Sequence, residues 1–141
     1  MRLIREERLA HAYLLFGGAR EGQRAFVDGL GHTLERGAKN ASSPSGPLLD
    51  RAWFSPVDGQ TGIDAVRACQ RFFSQKPFVS ARRLGAFDRA ETLTLQAQHA
   101  LLKIAEEPPP HALLVLIVND PDALLPTLMS RFQKMYWSGV P

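Results

Sequence analysis

The chain has 141 residues, 45% of them apolar and 22% charged, with a formal net charge of +3. That is enough for one domain with a full hydrophobic core, and no apolar run approaches the ~20 residues of a membrane span. Met1 to Glu7 mix charges without an apolar secretory core, and Cys69 stands alone, so a cytoplasmic protein with no disulfide and no thiolate zinc site is expected.

Tyr13-Leu14-Leu15-Phe16 reads as a buried strand ended by Gly17-Gly18. A helix is expected from about Gln23 to Glu35, with Phe26, Val27, Leu30 and Leu34 inward; Gly29 and Gly31 weaken it by ~1 kcal/mol each. Residues 37–50 turn to Ala, Ser, Pro, Gly and Asn, the composition of a flexible surface loop within one domain. Ala52-Trp53-Phe54 fits a short strand. Thr61 is placed to cap the next helix, with Asp64 in its first turn and Ile63, Val66, Cys69 or Gln70, and Phe73 on its inner face. Lys76-Pro77 ends it.

Leu84 to Asp88 is a strand closing on an acid. The helix Leu95 to Glu107 points Ala97, Leu101 and Ile104 inward, and Pro108-Pro109-Pro110 stops it. Leu113 to Val118, six apolar residues without alternation, is a central parallel strand covered on both faces. Asp120 can cap and Pro121 can open a short helix, Pro126 restarts that helix, and Met135-Tyr136-Trp137 is a last strand. Strands alternate with helices throughout. The expected fold is α/β, three layers around a five-stranded parallel sheet.

Gly17-Gly18-Ala19-Arg20-Glu21-Gly22-Gln23-Arg24 has the spacing of a phosphate-binding P-loop, G-x-x-x-x-G-K-[ST], between a strand and a helix. The lysine slot holds the uncharged Gln23. The slot of the metal-binding hydroxyl holds Arg24, which cannot ligate Mg²⁺. Gly17 and Gly22 keep the frame of a nucleotide site whose working groups are missing. Arg20 or Arg24 could still offer charge to a phosphate or sulfate. His11, His32, His99 and His111 have no metal-like spacing, so no metal site is expected.

Several stretches together resemble the bacterial clamp-loader ATPase family of the AAA+ class. They are His11-Ala12-Tyr13-Leu14, Ile63-Asp64-Ala65-Val66-Arg67, the long run Ala97-Gln98-His99-Ala100-Leu101-Leu102-Lys103-Ile104-Ala105-Glu106-Glu107-Pro108-Pro109, and Leu125-Pro126-Thr127-Leu128-Met129-Ser130-Arg131-Phe132-Gln133. The resemblance runs from about His11 to Trp137. It implies a P-loop NTPase domain with the lid and collar domains absent from this length, residues 1–10 as an N-terminal segment and 138–141 as the start of a linker.

The resemblance also assigns roles. Asp88 falls where the Walker B acid would hold Mg²⁺, but the catalytic glutamate expected next is Arg89, and Glu91 does not simply replace it. On the residues alone Asp88 reads as a helix or turn cap. Asn119 falls near the sensor 1 position. Ser130-Arg131 matches the motif whose arginine reaches across a subunit boundary to a neighbour's ATP, and Phe132 replaces the usual cysteine. Glu106 and Glu107, at the negative end of their helix, call for a salt bridge, a partner contact or simple solvation.

The implied function is in DNA replication: a domain without ATPase activity or cofactor of its own, lending Arg131 to an adjoining subunit. The implied partners are an ATP-binding AAA+ subunit, a delta subunit and, through the complex, the sliding clamp and primed DNA. No membrane partner is implied, and the isolated domain is expected to be monomeric. A divergent active ATPase using Arg24, or a stand-alone interaction module, are the alternatives.

Overall fold

A computed structural model describes residues 10–37 and 48–137. The expected linker at 138–141, the segment before residue 10 and most of the loop expected over 37–50 lie outside the described residues.

Five strands, β1 (Ala12–Phe16), β2 (Arg51–Phe54), β3 (Arg83–Phe87), β4 (Ala112–Ile117) and β5 (Gln133–Tyr136), form a parallel sheet in the order β2-β3-β4-β1-β5. Parallel neighbours need crossovers, and the crossovers put helices on both faces. Helix α1 (Arg20–Gly37) covers one face, where Val27 and Leu30 pack on Tyr13, Leu15, Leu84 and Val115. Helices α2 (Ile63–Phe73), α3 (Leu95–Glu106) and the single turn α4 (Pro126–Met129) cover the other, packing Val66, Phe73, Leu101, Ile104 and Leu128 on Leu14, Phe87, Leu114 and Leu116. Leu14 and Leu15 point to opposite cores because side chains alternate along a strand. All six residues of β4 are buried, as a strand covered on both faces requires. Cys69 is fully buried, and burial pushes its thiol pKa up, which suits a small core hydrophobe.

Helix α3 starts on Thr94, whose Oγ1 accepts a bond from the Ala97 N–H at 3.1 Å. Asp120 caps the short 3-10 turn Pro121–Ala123 by accepting from the Asp122 N–H, as expected. Two local expectations are corrected. Helix α1 begins at Arg20, not Gln23, because Gly17 (φ +88°) and Gly18 (φ +66°) complete the turn out of β1 in left-handed conformations. Thr61 does not cap α2. The N-cap is Gly62, without a side-chain bond, while the Thr61 hydroxyl lies 2.8 Å from that of Thr92 and its backbone bonds Thr92 and Thr94. These bonds tie it to the 3-10 turn Ala90–Thr92 and to the entry of α3.

Candidate functional site

The loop after β1, the residue after β3 and the residues after β4 all lie at the C-terminal end of the sheet. The connections leaving β1 and β4 run to opposite edges, and such a switch point opens a crevice for ligands in α/β sheets. A cleft of about 270 Å³ lies there, lined by Arg20, Gln23, Asp88, Arg89, Glu91 and Asn119 among others.

Early residues of α1 fill this end with internal contacts. Gln23 is fully buried and its Nε2 donates to the carbonyl of Gly17 at 2.7 Å, so the side chain in the lysine slot closes the loop on itself. Its Oε1 has no hydrogen-bond partner among the described residues. Arg20 and Arg24 sit one turn apart and therefore on the same side of the helix. Both reach Asp88. Arg24 Nη1 donates to Oδ2 at 2.6 Å, Arg20 Nε donates to Oδ1 at 3.3 Å, and Arg20 Nη2 also contacts Oδ2. The Arg24 guanidinium lies 4.3 Å from the Trp53 ring centroid, a cation–π contact that fixes it further.

Asp88 is 1% exposed. Burial pushes its carboxyl upward, but the hydrogen bonds and charges of Arg20 and Arg24 outweigh that and hold it below the ordinary carboxylate range. The Arg20 guanidinium is correspondingly raised by its bond to Asp88. The expectation of a helix or turn cap at Asp88 is therefore corrected: its carboxylate bonds two guanidiniums some sixty-odd residues back in the chain (|i−j| of 68 and 64). This donor set does not fit a magnesium–triphosphate. Asp88 is already paired twice, Gln23 is neutral and engaged, and Arg24, which follows it, offers no hydroxyl.

The two loop glycines meet aromatic rings. A Cβ on Gly17 would collide with the Tyr136 ring, and one on Gly22 would come within 2.6 Å of Trp137 Nε1. Here glycine is required by protein packing. At the far side of the cleft Arg89 adopts a left-handed backbone (φ +51°) and is exposed, and the Asn119 Nδ2 donates to Glu91 Oε2 at 3.4 Å. Glu91 and Asn119 are thus brought together beside Asp88.

Ser130 and Arg131 are elsewhere. They follow α4 and precede β5, at the N-terminal end of the sheet, so all of β5, ~13 Å of strand, separates them from the loop. Ser130 Oγ donates to the Thr127 carbonyl at 2.8 Å and closes the turn. Arg131 is half-exposed, with a 3.5 Å contact from Nη2 to the equally exposed Glu106. That pairing gives Glu106 a partner at the carbonyl end of α3. Phe132 is buried in the core. Beside Arg131 runs a groove of about 380 Å³ lined by His11, Ala105, Pro108, Ser130 and Gln133.

The Arg–Asp88 cluster, the Trp53 contact and the aromatic seat on the glycines escape sequence reasoning. The i, i+4 spacing of Arg20 and Arg24 was the one available signal. Among the described residues no three of His, Cys, Asp and Glu gather as a metal site, and no helix is long and apolar enough to cross a membrane.

A family model described as DNA polymerase III, delta subunit, matches residues 1–140. The DNA polymerase III delta-prime subunit of Pseudomonas aeruginosa is 33% identical over 135 residues, covering 86% of this chain and 41% of that protein. For the Bacillus subtilis delta-prime subunit the identity is 33% over 142 residues, with 94% and 43% covered. A DNA polymerase III gamma subunit-related protein from Thermotoga maritima superposes with a TM-score of 0.75 at 27% identity, covering 99% of this chain and 45% of that one. The chain spans less than half the length of these relatives. With its parallel five-stranded sheet and its match along nearly every residue, it belongs to the DNA polymerase III delta-subunit family, as a clamp-loader domain of the delta-prime kind.

Proposed function

We propose that this domain serves a clamp loader in DNA replication without hydrolysing ATP itself, and that it donates Arg131 to ATP bound by a neighbouring AAA+ subunit. The delta subunit, the sliding clamp and primed DNA are then met through the assembled loader. The observation that carries this reading is the separation of Arg131 from the loop. An arginine at the N-terminal end of the sheet lies a strand's length from the loop at the C-terminal end, which supports a target outside its own loop. It is also available, being half-exposed and held by one long ion pair of a kind worth under ~1 kcal/mol. The silence of the domain's own site is supported by the pairing of Asp88 with Arg20 and Arg24 and by the neutral Gln23.

Arg131 would stabilise charge spreading over the transferred phosphoryl group, a contribution worth ~10³-fold or more in rate. The test is a loader reconstituted with the complete subunit carrying Arg131→Ala. DNA- and clamp-stimulated ATP turnover should fall by ~10³-fold while the assembly still elutes as one complex. Unchanged turnover in an intact complex would reduce Arg131 to a surface charge. Turnover by this chain alone, dependent on Mg²⁺, would overturn the silent-site half of the proposal.

A further inference from the structure

Residues 65–87 carry five cations, Arg67, Arg71, Lys76, Arg82 and Arg83, and no carboxylate. In this stretch the chain leaves α2 and turns back into β3, and a single acid from outside it fastens the turn. Asp50 is buried, and its carboxylate accepts from the backbone N–H groups of Phe78 at 2.7 Å, Val79 at 2.8 Å and Ser80 at 2.9 Å. Burial pushes the Asp50 carboxyl upward, yet these backbone bonds prevail and hold it below its ordinary value, so it stays ionised and the turn stays pinned. The buried Arg83 lies beside it, Nε to Oδ1 3.7 Å, with its guanidinium 4.4 Å from the Phe72 ring centroid and 5.2 Å from that of Phe78.

On this mount three apolar side chains stand in water. Phe78 is 70% exposed, Val79 44%, and Leu49, next to Asp50, 52%. The exposed charges on the same turn and the last turn of α2, Lys76 and Arg71, are both positive. We propose that Leu49, Phe78 and Val79 form a docking site for an acidic segment of a partner protein. The segment lays an apolar side chain against Phe78 and sets its carboxylates against Arg71 and Lys76.

Charge complementarity selects this occupant. A second copy of the chain would bring like charges together. A nucleic-acid strand could also meet Arg71 and Lys76, but the patch offers its bases a single aromatic face, whereas Leu49, Phe78 and Val79 together suit an apolar side chain. Because Asp50 already orders the turn, little loop-ordering cost opposes binding. A rigid aromatic anchor ringed by polar groups is also how binding energy concentrates at protein interfaces. The patch lies before β2 and β3, away from the Asp88 cluster, and is independent of the role proposed for Arg131.

The experiment titrates the full 141-residue chain, at low salt, with a labelled synthetic peptide of glutamates and aspartates carrying one leucine and one phenylalanine. Binding is expected with Kd well below ~1 mM, weakened about tenfold or more by Phe78→Ser and by the pair Arg71→Glu and Lys76→Glu, and retained by Phe78→Tyr. Replacing the peptide's two apolar residues with serine should abolish it. Thermal melts of the variants show whether the fold persists. No binding below ~1 mM, or binding indifferent to both sets of substitutions, overturns the proposal. So does tighter binding of oligothymidylate that Phe78→Ser abolishes, or a dimer in sedimentation that the same substitution dissolves.

Discussion

The Asp88 cluster and Arg131, at opposite ends of the sheet, handle charge in opposite ways. At the C-terminal end Asp88, Arg20 and Arg24 satisfy one another, and Gln23 satisfies the loop carbonyl. At the N-terminal end Arg131 and Lys76 stay exposed, and among the described residues Arg131 has a loose partner in Glu106. The comparison teaches that a glycine-bearing loop at the head of a helix can be held by protein groups alone: guanidiniums on Asp88, and aromatic rings where Gly17 and Gly22 must stay bare. It also says where binding capacity is left, at exposed cations such as Arg131 and Lys76 that no buried carboxylate holds among the described residues.

The hardest test of that account is Gly17→Ala. A left-handed residue loses ~1–2 kcal/mol when it gains a Cβ, and collision with the Tyr136 ring adds ~1–3 kcal/mol, so about 3 kcal/mol of stability should disappear in urea unfolding. Adding Tyr136→Ala to that variant should recover the packing part and leave the backbone part. If the glycine were kept for a phosphate alone, trimming Tyr136 would recover nothing.

Next in size is the clamp on Asp88. Removing both Arg20 and Arg24 strands a carboxylate that is 1% exposed. The cost should be ~2 kcal/mol, below that of a fully buried pair because both guanidiniums are more than a third exposed. Asp88→Asn should cost less, since the two arginines it releases can hydrate. Equal costs from the two sides would mean that the pairing is not the source of stability here.

What was legible in the sequence follows the same divide between local and distant. β4 announces itself in six apolar residues, and α3 in its inward spacing and its proline stop, because each depends on neighbours in the chain. The two glycines mark the turn out of β1, though not that the turn is so tight that α1 starts at Arg20. Thr61 has the look of a cap, but its partner Thr92 lies across the fold. Asp88 and Arg24 are 64 residues apart, and no periodicity joins them. The ion pair between Arg131 and Glu106 is hidden for the same reason, although the need of Glu106 for a partner shows in its position at the end of α3. Asp50 carries no motif at all. It ends a polar stretch, and only the fold brings three backbone N–H groups to it.

A smaller effect appears with pH, and it is shared by both ends. Asp88 and Asp50 both have folded-state pKa values below their unfolded ones. The stability they contribute is therefore present above the unfolded value of about 4 and is lost as pH falls through the folded values. Urea midpoints measured from about pH 6 downward should hold steady and then fall below about pH 4. Asp50→Asn should lower the plateau and flatten the acid limb, because the amide can no longer draw three N–H groups as an anion does. An acid limb of unchanged slope in both Asp50→Asn and Asp88→Asn would assign acid sensitivity to other carboxylates.

The smallest expected change is at Arg131. Its contact with Glu106 is 3.5 Å long and nearly half-exposed on both sides, so Arg131→Ala and Glu106→Gln should each shift stability by well under ~1 kcal/mol, a degree or two in Tm. A double-mutant cycle should return a coupling that vanishes in high salt, as exposed pairs do. This near-silence in stability is what gives the functional comparison its force. Arg20 and Arg24 matter to the fold because they finish a buried charge, whereas Arg131 meets a half-exposed Glu106 and finishes no buried charge among the described residues. A substitution that leaves the melt unmoved yet stops ATP turnover in a neighbouring subunit can only be acting outside the domain. A large Tm loss from Arg131→Ala would instead make it one more structural cation, and the two ends of the sheet would no longer differ in kind.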